Sequence, residues 1–230
     1  MGSLLVLGGI SIVIMIARAL VFRSRFSQSK YDETNGANWF QVMRDTGAVG
    51  EFYTYEKLEN LPGHHHLITN LYLPKKRGGT TEVDLVFVCE SGIYVIESKN
   101  YSGWIFGNEK GRYWTQVLNK NHKERFFNPI MQNTGHITAL KDVLELEDSY
   151  FHSVIVFSER CQLKKIEMES DHILVIKRDQ LARLMKEECL HGNKCLSKSQ
   201  VDAIFYRKLI PYSHADQEKK DEHIRGIKGK

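Results

Sequence analysis

The sequence TEVDLVFVCESGIYVIESK, from Thr81 to Lys99, decides the fold of this chain. It contains two short apolar runs rich in β-branched residues, 83–88 and 93–96, and such runs are typical of strands. The four residues between them end on a glycine, as type I turns prefer. The stretch therefore predicts a β-hairpin.

Three charged side chains converge on one face of this hairpin. If Glu90 and Ser91 are the central residues of the turn, counting outward places Asp84 opposite Glu97, with the roots of the two side chains about 5 Å apart. Lys99 lies two residues beyond Glu97, so it points to the same face. Two carboxylates held this close favour a cation between them, because each otherwise raises the pKa of the other.

A solvated ion pair is the alternative interpretation of these charges. Charged sheet faces are usually hydrated and contribute little to stability. Both strands, however, are almost continuously apolar, which indicates burial on both faces. Unpaired carboxylates would be costly there, so the sequence favours a metal site.

Further motifs follow in an ordered series along the chain. They are Gly50-Glu51 at the start of a helical segment, Leu71–Pro74, Gly79–Asp84, Gly92–Gly103, Trp114 and Asn128–Asn133. In this order and spacing they resemble the nuclease-related domain (NERD). That family belongs to the restriction-endonuclease-like PD-(D/E)xK superfamily, which also includes archaeal Holliday-junction resolvases. The resemblance covers residues 47–144 well and the rest of the globular part more loosely, and Ser98 stands where threonine is frequent in the family.

The resemblance implies an α/β fold in which helices flank a mixed β-sheet, a layout that the predicted order of helices and strands also gives. It implies a nuclease that hydrolyses phosphodiester bonds, with DNA as the expected substrate and Mg²⁺ or Mn²⁺ as cofactor. Such hard cations prefer oxygen ligands, and the expected ligands are Asp84, Glu97 and the backbone carbonyl of Ser98. Lys99 is expected to orient the attacking water or to neutralise developing charge.

Two residues outside the hairpin complete the predicted catalytic set. Glu51 resembles the helix-borne acid of the related resolvases, which reaches the metal directly or through water. Its alternative role is a first-turn glutamate stabilised by the helix dipole. Gln132 follows the pattern Asn-Pro-x-x-Gln-Asn and is expected to orient a phosphate or the hairpin; an amide that caps a helix start is the alternative.

Basic and aromatic residues interleave after the hairpin. The formal net charge of +4 is mild, and it does not by itself indicate a nucleic-acid-binding protein. Residues 99–132, however, contain six basic residues and two acids. Such a segment suits a phosphate backbone and exposed bases. The expected nucleic-acid-binding residues are Lys110, Arg112, Lys120, Lys123 and Arg125, while Trp104, Phe106 and Trp114 could instead belong to the core.

The N-terminal segment is different in kind. Its apolar run reaches from Leu4 to Phe22 if Arg18 is tolerated, roughly the length of a membrane-spanning helix. Basic residues follow the run, which favours a retained anchor over a cleaved signal peptide and places the following domain in the cytoplasm. The sequence thus predicts a single transmembrane anchor at residues 1–22, inserted in the lipid bilayer of the cell membrane through residues 4–22.

The rest of the chain is predicted as one domain with two polar flanks. Residues 23–36 are expected to be a polar tether, and residues 37–212 the nuclease-like domain, with the motif core at 47–144. Residues 213–230 are charged and lack a core pattern, so disorder is expected. Cutting both strands of a duplex would suit a homodimer, which the sequence leaves open.

Parts of the sequence are also compatible with two other functions and one other metal site. A nuclease fold that binds nucleic acid without cutting, or a membrane-associated scaffold, would not need both acids and the lysine. Of the three consecutive histidines, His64 and His66 alternate onto one side of a strand. No third ligand is evident nearby in the sequence, so a surface cluster is favoured over a zinc site.

Overall fold

The computed structural model describes residues 2–76, 78–119 and 122–213, and the side chains of residues 2–8 are outside the described part. The first half contains α1 (Gly2–Gln28), α2 (Tyr31–Asn35), α3 (Trp39–Arg44), α4 (Thr46–Glu56), β1 (His65–Pro74), β2 (Thr80–Cys89), β3 (Gly92–Lys99), β4 (Gly103–Asn108) and β5 (Tyr113–Asn119). The second half contains β6 (His122–Phe127), α5 (Pro129–Leu144), β7 (Phe151–Phe157), β8 (Cys161–Glu167), β9 (Ile173–Lys177), α6 (Arg178–His191) and α7 (Lys198–Ala203). A π-helical segment, Ile204–Leu209, continues α7.

The strands form two sheets. The first has the order β1-β2-β3-β7-β9 and the second the order β6-β5-β4-β8. In the first sheet β1, β2 and β3 are antiparallel, whereas β3, β7 and β9 are parallel. The predicted α/β class with a mixed sheet flanked by helices is confirmed. The division into two sheets was not predicted.

The first sheet lies between two helical layers. On one side, α1, α4 and α6 contribute Phe26, Phe52 and Met185 to a buried cluster. On the other side, α5 and α7 contribute Leu140 and Val201 to a second cluster. Burying an apolar side chain of this size contributes about 1.5–3 kcal/mol, so the two layers hold the sheet between them.

The predicted hairpin has the predicted register. Leu85 pairs with Ile96 and Cys89 with Gly92, so Glu90 and Ser91 are the central residues of the turn. Gly92 has a φ of 142°, and a Cβ there would lie 2.7 Å from Nε2 of His152. Glycine is required at this corner because no side chain fits.

Residues 23–36 do not form the predicted tether. Helix α1 continues to Gln28 and α2 follows at Tyr31. Phe26 is 4% exposed and Tyr31 is fully buried, and both rings pack on Phe52 of α4. The polar composition of the segment concealed these two aromatic residues, which the domain core buries.

The predicted anchor and tail are only partly described. Within the part of the chain that the structure describes, no helix is both long and apolar enough to cross a membrane. The predicted anchor includes residues 1–8, whose side chains are not described. Of the predicted disordered tail, residues 214–230 lie outside the described residues.

Candidate active site

Strands β2 and β3 part at the carboxyl end of β3, and the candidate site lies there. Their register runs from the turn to the pair Leu85 and Ile96. Beyond this pair, the Asp84 carboxylate accepts a hydrogen bond from the backbone N–H of Ser98 at 3.0 Å. Asp84 is thereby fixed beside the end of β3.

Strand β1 has a backbone break next to Asp84. Leu67 packs in the cluster with α4 and Leu71 in the cluster with α5, although alternation would put both on one face. Between them Asn70 has a φ of 52°, in the left-handed region that asparagine tolerates better than most residues. The pairs on either side place Asn70 opposite Asp84, and both residues line one open pocket. Strained backbone of this kind is often found at functional sites.

Glu97 is the centre of a hydrogen-bonded network. It is 1% exposed. One of its oxygens accepts from Lys99 Nζ at 2.5 Å, and the other contacts His136 Nε2 at 3.1 Å. Lys99 also donates to Oε1 of Gln132 at 3.1 Å. The structure therefore brings together Glu97, Lys99 and Gln132, three residues of the predicted catalytic set.

The start of α5 explains the position of Gln132. The Asn128 side-chain oxygen accepts from the N–H of Ile130 at 2.9 Å, and Pro129 suits the first helical position. The Asn128 amide also donates to the backbone carbonyls of Asn108, Glu109 and Gly111. Asn128 therefore caps the helix. Gln132 does not act as the cap, and its side-chain oxygen accepts from Lys99.

Glu97 and Lys99 each stabilise the ionised form of the other. Burial opposes ionisation of Glu97, but the hydrogen bond from His136 and the charge of Lys99 hold its pKa below the usual value. Burial also disfavours the Lys99 ammonium, yet the Glu97 and Asp84 carboxylates raise its pKa. The pair is thus ionised at neutral pH.

Asp84 has the opposite electrostatic environment. Its burial, and next the charges of Glu97 and Glu51, raise its pKa well above the usual value. A cation placed against the Asp84 carboxylate would stabilise its charged form, because the cation offsets both the cost of burial and the repulsion by the neighbouring carboxylates.

Glu51 lies at the edge of the same pocket. It follows the first turn of α4, which begins at Thr46 with Asp45 as its cap, so the first-turn alternative does not apply. Tyr31 donates to it at 3.5 Å. Burial, and then the nearby charges of Glu82 and Glu97, raise its pKa to about 8.

The donor set fits a hard divalent cation. Asp84, Glu97 and the Ser98 carbonyl offer only oxygens, which Mg²⁺ and Mn²⁺ prefer. Both Glu97 oxygens are hydrogen-bonded, but a carboxylate oxygen has a second lone pair for a metal. Among the described residues, Glu51, Asp84 and Glu97 do not form a group whose carboxylate oxygens all lie within 4.8 Å of one another. Glu51 and Asp84 line the same pocket.

Two residues of the site were missed from the sequence. His136, 5% exposed, bridges Glu97 and the Thr81 hydroxyl, at 3.1 and 3.0 Å. It stands four residues after Gln132, on the same side of α5, and this spacing was the available signal. Glu82, the second missed residue, lines the pocket and accepts from the Tyr72 hydroxyl at 2.7 Å; the sequence carried no signal for its role.

Four of the five predicted nucleic-acid-binding residues belong to the second sheet and its turns. Lys123 and Arg125 are exposed on β6. Arg112 precedes β5, and Lys110, in the β4–β5 turn, forms an ion pair with Glu169 at 2.6 Å. Lys120 lies outside the described residues.

One face of this sheet combines aromatic and basic side chains. Tyr113 pairs with Phe127, and two residues further along Thr115 pairs with Arg125, so Tyr113, Phe127 and Arg125 share a face. The Arg125 guanidinium lies 4.8 Å from the Tyr113 ring centroid. Trp104, which is 49% exposed, pairs with Val117 on the same face. Trp114 points the other way, is buried and stacks on Phe157, so the core interpretation of Trp114 is confirmed.

Comparison with known proteins finds a family match over the segment that contains these residues. Residues 46–158 match the model of the nuclease-related domain family, a segment that reaches from α4 to the end of β7. The mixed sheet is consistent with the PD-(D/E)xK superfamily. An uncharacterized protein of Bacillus anthracis is 28% identical over 190 residues, which are 82% of this chain and 87% of the relative. No solved structure matches the chain.

Proposed function

We propose that this chain is a divalent-metal-dependent nuclease that hydrolyses phosphodiester bonds in DNA. The observation that carries the proposal is the buried Lys99 ammonium, which contacts Glu97 and Gln132 beside Asp84 at the parted end of the hairpin. The match of residues 46–158 to a nuclease-related family supports the same chemistry.

Each residue of the site has a defined task in this proposal. Asp84, Glu97 and the Ser98 carbonyl hold Mg²⁺ or Mn²⁺, which when bound lowers the pKa of a water and offsets charge on the phosphoryl oxygens. Lys99 orients the attacking water or neutralises charge in the transition state. Gln132 fixes the Lys99 ammonium, and His136 fixes Glu97.

Glu51 supplies a proton store in the same pocket. With a pKa of about 8, its carboxyl is protonated at neutral pH and releases the proton readily when positive charge approaches. Hydrolysis needs both a proton acceptor and a proton donor near the phosphate, and groups that titrate near the working pH serve best.

The aromatic and basic face of the second sheet is the proposed path of the nucleic acid. Bases stack on exposed rings without sequence preference, and basic side chains contact the phosphates. Trp104, Tyr113 and Phe127 are 49%, 45% and 44% exposed, and Lys123 and Arg125 lie among them. The combination suits a single-stranded stretch of DNA.

The test is cleavage by the full-length chain. Supercoiled plasmid and single-stranded DNA are incubated with Mg²⁺, Mn²⁺ or EDTA, and the products are resolved on gels. Asp84→Asn and Lys99→Ala should each reduce the rate at least about 100-fold, the scale seen when one charge-stabilising group is lost. Lys141→Ala is the matched control, because Lys141 contacts Asp148 at 2.5 Å on the surface.

The outcome also separates the alternatives. Cleavage in EDTA, or full activity of Asp84→Asn, would contradict the metal-dependent mechanism. DNA binding that weakens with salt but gives no products would indicate a non-catalytic binding module. The absence of both DNA binding and cleavage would indicate a scaffold.

We further propose that α1 attaches the chain to the cell membrane, with the nuclease domain in the cytoplasm. In support, apolar side chains along α1 are largely solvent-exposed, among them Ile12, Val13, Ile16, Leu20 and Val21 at 53–65%. Exposed apolar surface of this extent indicates a contact with lipid or protein. Cell fractionation tests this: the full-length chain should sediment with membranes, and Val13→Asp combined with Ile16→Asp should release it. Recovery of the unsubstituted chain in the soluble fraction would contradict the proposal.

A further inference from the structure

A second cluster of metal-ligating side chains lies where β1 begins. His64 and His66 each place Nε2 at 2.7 Å from the same oxygen, Oδ1 of Asp202. Within the described ranges, this is the group of three His, Cys, Asp or Glu residues whose ligand atoms all lie within 4.8 Å of one another. It shares no residue with the candidate nuclease site.

The fold brings these residues together from distant parts of the sequence. His66 lies on β1 and His64 on the bend just before it, and both rings face Asp202, while His65 stacks on Phe87 at a centroid distance of 4.9 Å. On the side of the His64 and His66 rings, α7 packs against the sheet, and its Val201 is fully buried. Asp202, the next residue, thus becomes the third member, which the sequence did not reveal.

Neighbouring rings fix the direction of the imidazoles. His66 stacks on Phe205, with centroids 4.3 Å apart and 14° between the planes, and meets Tyr206 edge-on at 5.1 Å. The His64 ring lies 5.5 Å from the His66 ring at 79°. The two Nε2 atoms therefore point to one place because packing holds them there.

We propose that His64, His66 and Asp202 bind one transition-metal ion of the Zn²⁺ class. Two imidazole nitrogens with one carboxylate oxygen are typical ligands of such ions, whereas Mg²⁺ prefers oxygens throughout. The histidine and aspartate side chains are 31%, 18% and 44% exposed, so the open side is free for a water as fourth ligand. An ion here would clamp α7 onto the start of β1.

The geometry needs only a small adjustment to take the ion. A tetrahedral Zn²⁺ with bonds of about 2.0–2.1 Å separates its ligand atoms by about 3.3 Å. The present contacts of 2.7 Å would lengthen by about 0.6 Å. In the metal-bound form each imidazole would be neutral, with its proton on Nδ1 rather than on the ligating Nε2, so the ion would replace the two contacts to Asp202.

Zinc binding by the metal-free, full-length chain tests the proposal. Because the nuclease site could also take Zn²⁺, the measurement uses equilibrium dialysis with elemental analysis on Asp84→Asn as well as on the unsubstituted chain. Asp84→Asn should still bind one Zn²⁺, with a Kd of about 1 µM or tighter. Adding Asp202→Asn or His66→Gln should weaken this binding at least about 100-fold, more than loss of an outer-shell partner does.

The control is His122→Gln. It removes an exposed histidine that contacts Glu124 at 2.6 Å and has no third ligand among the residues that the structure describes, so Zn²⁺ binding should be unchanged. A second readout is the melting temperature, which Zn²⁺ should raise for Asp84→Asn but not once Asp202→Asn is added. Failure of the unsubstituted chain to bind Zn²⁺ at 10 µM, a concentration about tenfold above the expected Kd, would overturn the proposal and leave a hydrogen-bonded cluster. Binding that survives Asp202→Asn would overturn it too. These readouts do not depend on DNA cleavage, so the nuclease proposal fails or holds separately.

Discussion

His136 gives the sharpest test of how the candidate site is built. In His136→Leu, Glu97 loses the hydrogen bond at 3.1 Å, and the Thr81 hydroxyl loses one at 3.0 Å. A bond to a buried charged group contributes about 1.5–3 kcal/mol and a neutral one about 1 kcal/mol. We expect the free energy of unfolding at pH 7 to fall by about 3 kcal/mol.

The loss should depend on pH in a definite direction. The pKa of Glu97 lies below its ordinary value of 4.5. Burial acts to raise this pKa, and the hydrogen bond from His136 acts to lower it. A carboxyl with a lowered pKa contributes stability above its unfolded pKa and loses it as pH falls through the folded pKa. Without His136 this contribution shrinks, so the difference between the variant and the unsubstituted chain should be largest at pH 7 and diminish below about pH 4.5.

Urea unfolding followed by tryptophan fluorescence measures this, because Trp114 is buried against Phe157. The matched control is His122→Leu, which removes an exposed histidine–glutamate contact and should change stability by at most about 0.5 kcal/mol. An equal loss at pH 7 and pH 4, or a loss no larger than that of His122→Leu, would refute the electrostatic account of Glu97.

Three further predictions address the pocket, the packing of the second sheet and the nucleic-acid face. Glu51→Gln should stabilise the chain at pH 8. The Glu51 carboxyl has its folded pKa raised to about 8, so the free energy of unfolding should fall as pH rises from about 4.5 towards 8. Urea unfolding across this range should therefore show the stabilities of the two proteins converging at low pH. Gly107→Ala places a Cβ 2.2 Å from the Trp114 ring and should cost about 1–3 kcal/mol, so an unchanged melting temperature would contradict the packing. Tyr113→Ala should weaken binding of single-stranded DNA by about 1–3 kcal/mol in fluorescence anisotropy, whereas Tyr206→Ala, an exposed tyrosine on another element, should not.

The hairpin could be predicted from sequence because its determinants are local. Turn chemistry and strand alternation fix which residues of 81–99 stand opposite one another, and this register is the one observed. Gln132, which the motif beginning at Asn128 led us to expect would orient a phosphate or the hairpin, lies beside Lys99. The catalytic roles of these residues stay predictions.

Other features could not be read from local pattern. The segment 23–36 is polar on average, yet Phe26 and Tyr31 pack against α4 in a buried cluster. His136 gave only a spacing on a helix, and its partner Glu97 lies 39 positions earlier. The sheet that carries Tyr113 and Arg125 was not predicted as a separate layer.

The sequence by itself determined the α/β class, the hairpin and the meeting of Asp84, Glu97 and Lys99, since these depend on periodicity and short-range pairing. Tertiary structure alone decided that His136 supports Glu97 and that Asp202 joins His64 and His66. Those contacts join segments that are distant in sequence, and they exist only because burial of apolar helix faces packs α5 and α7 against the sheet.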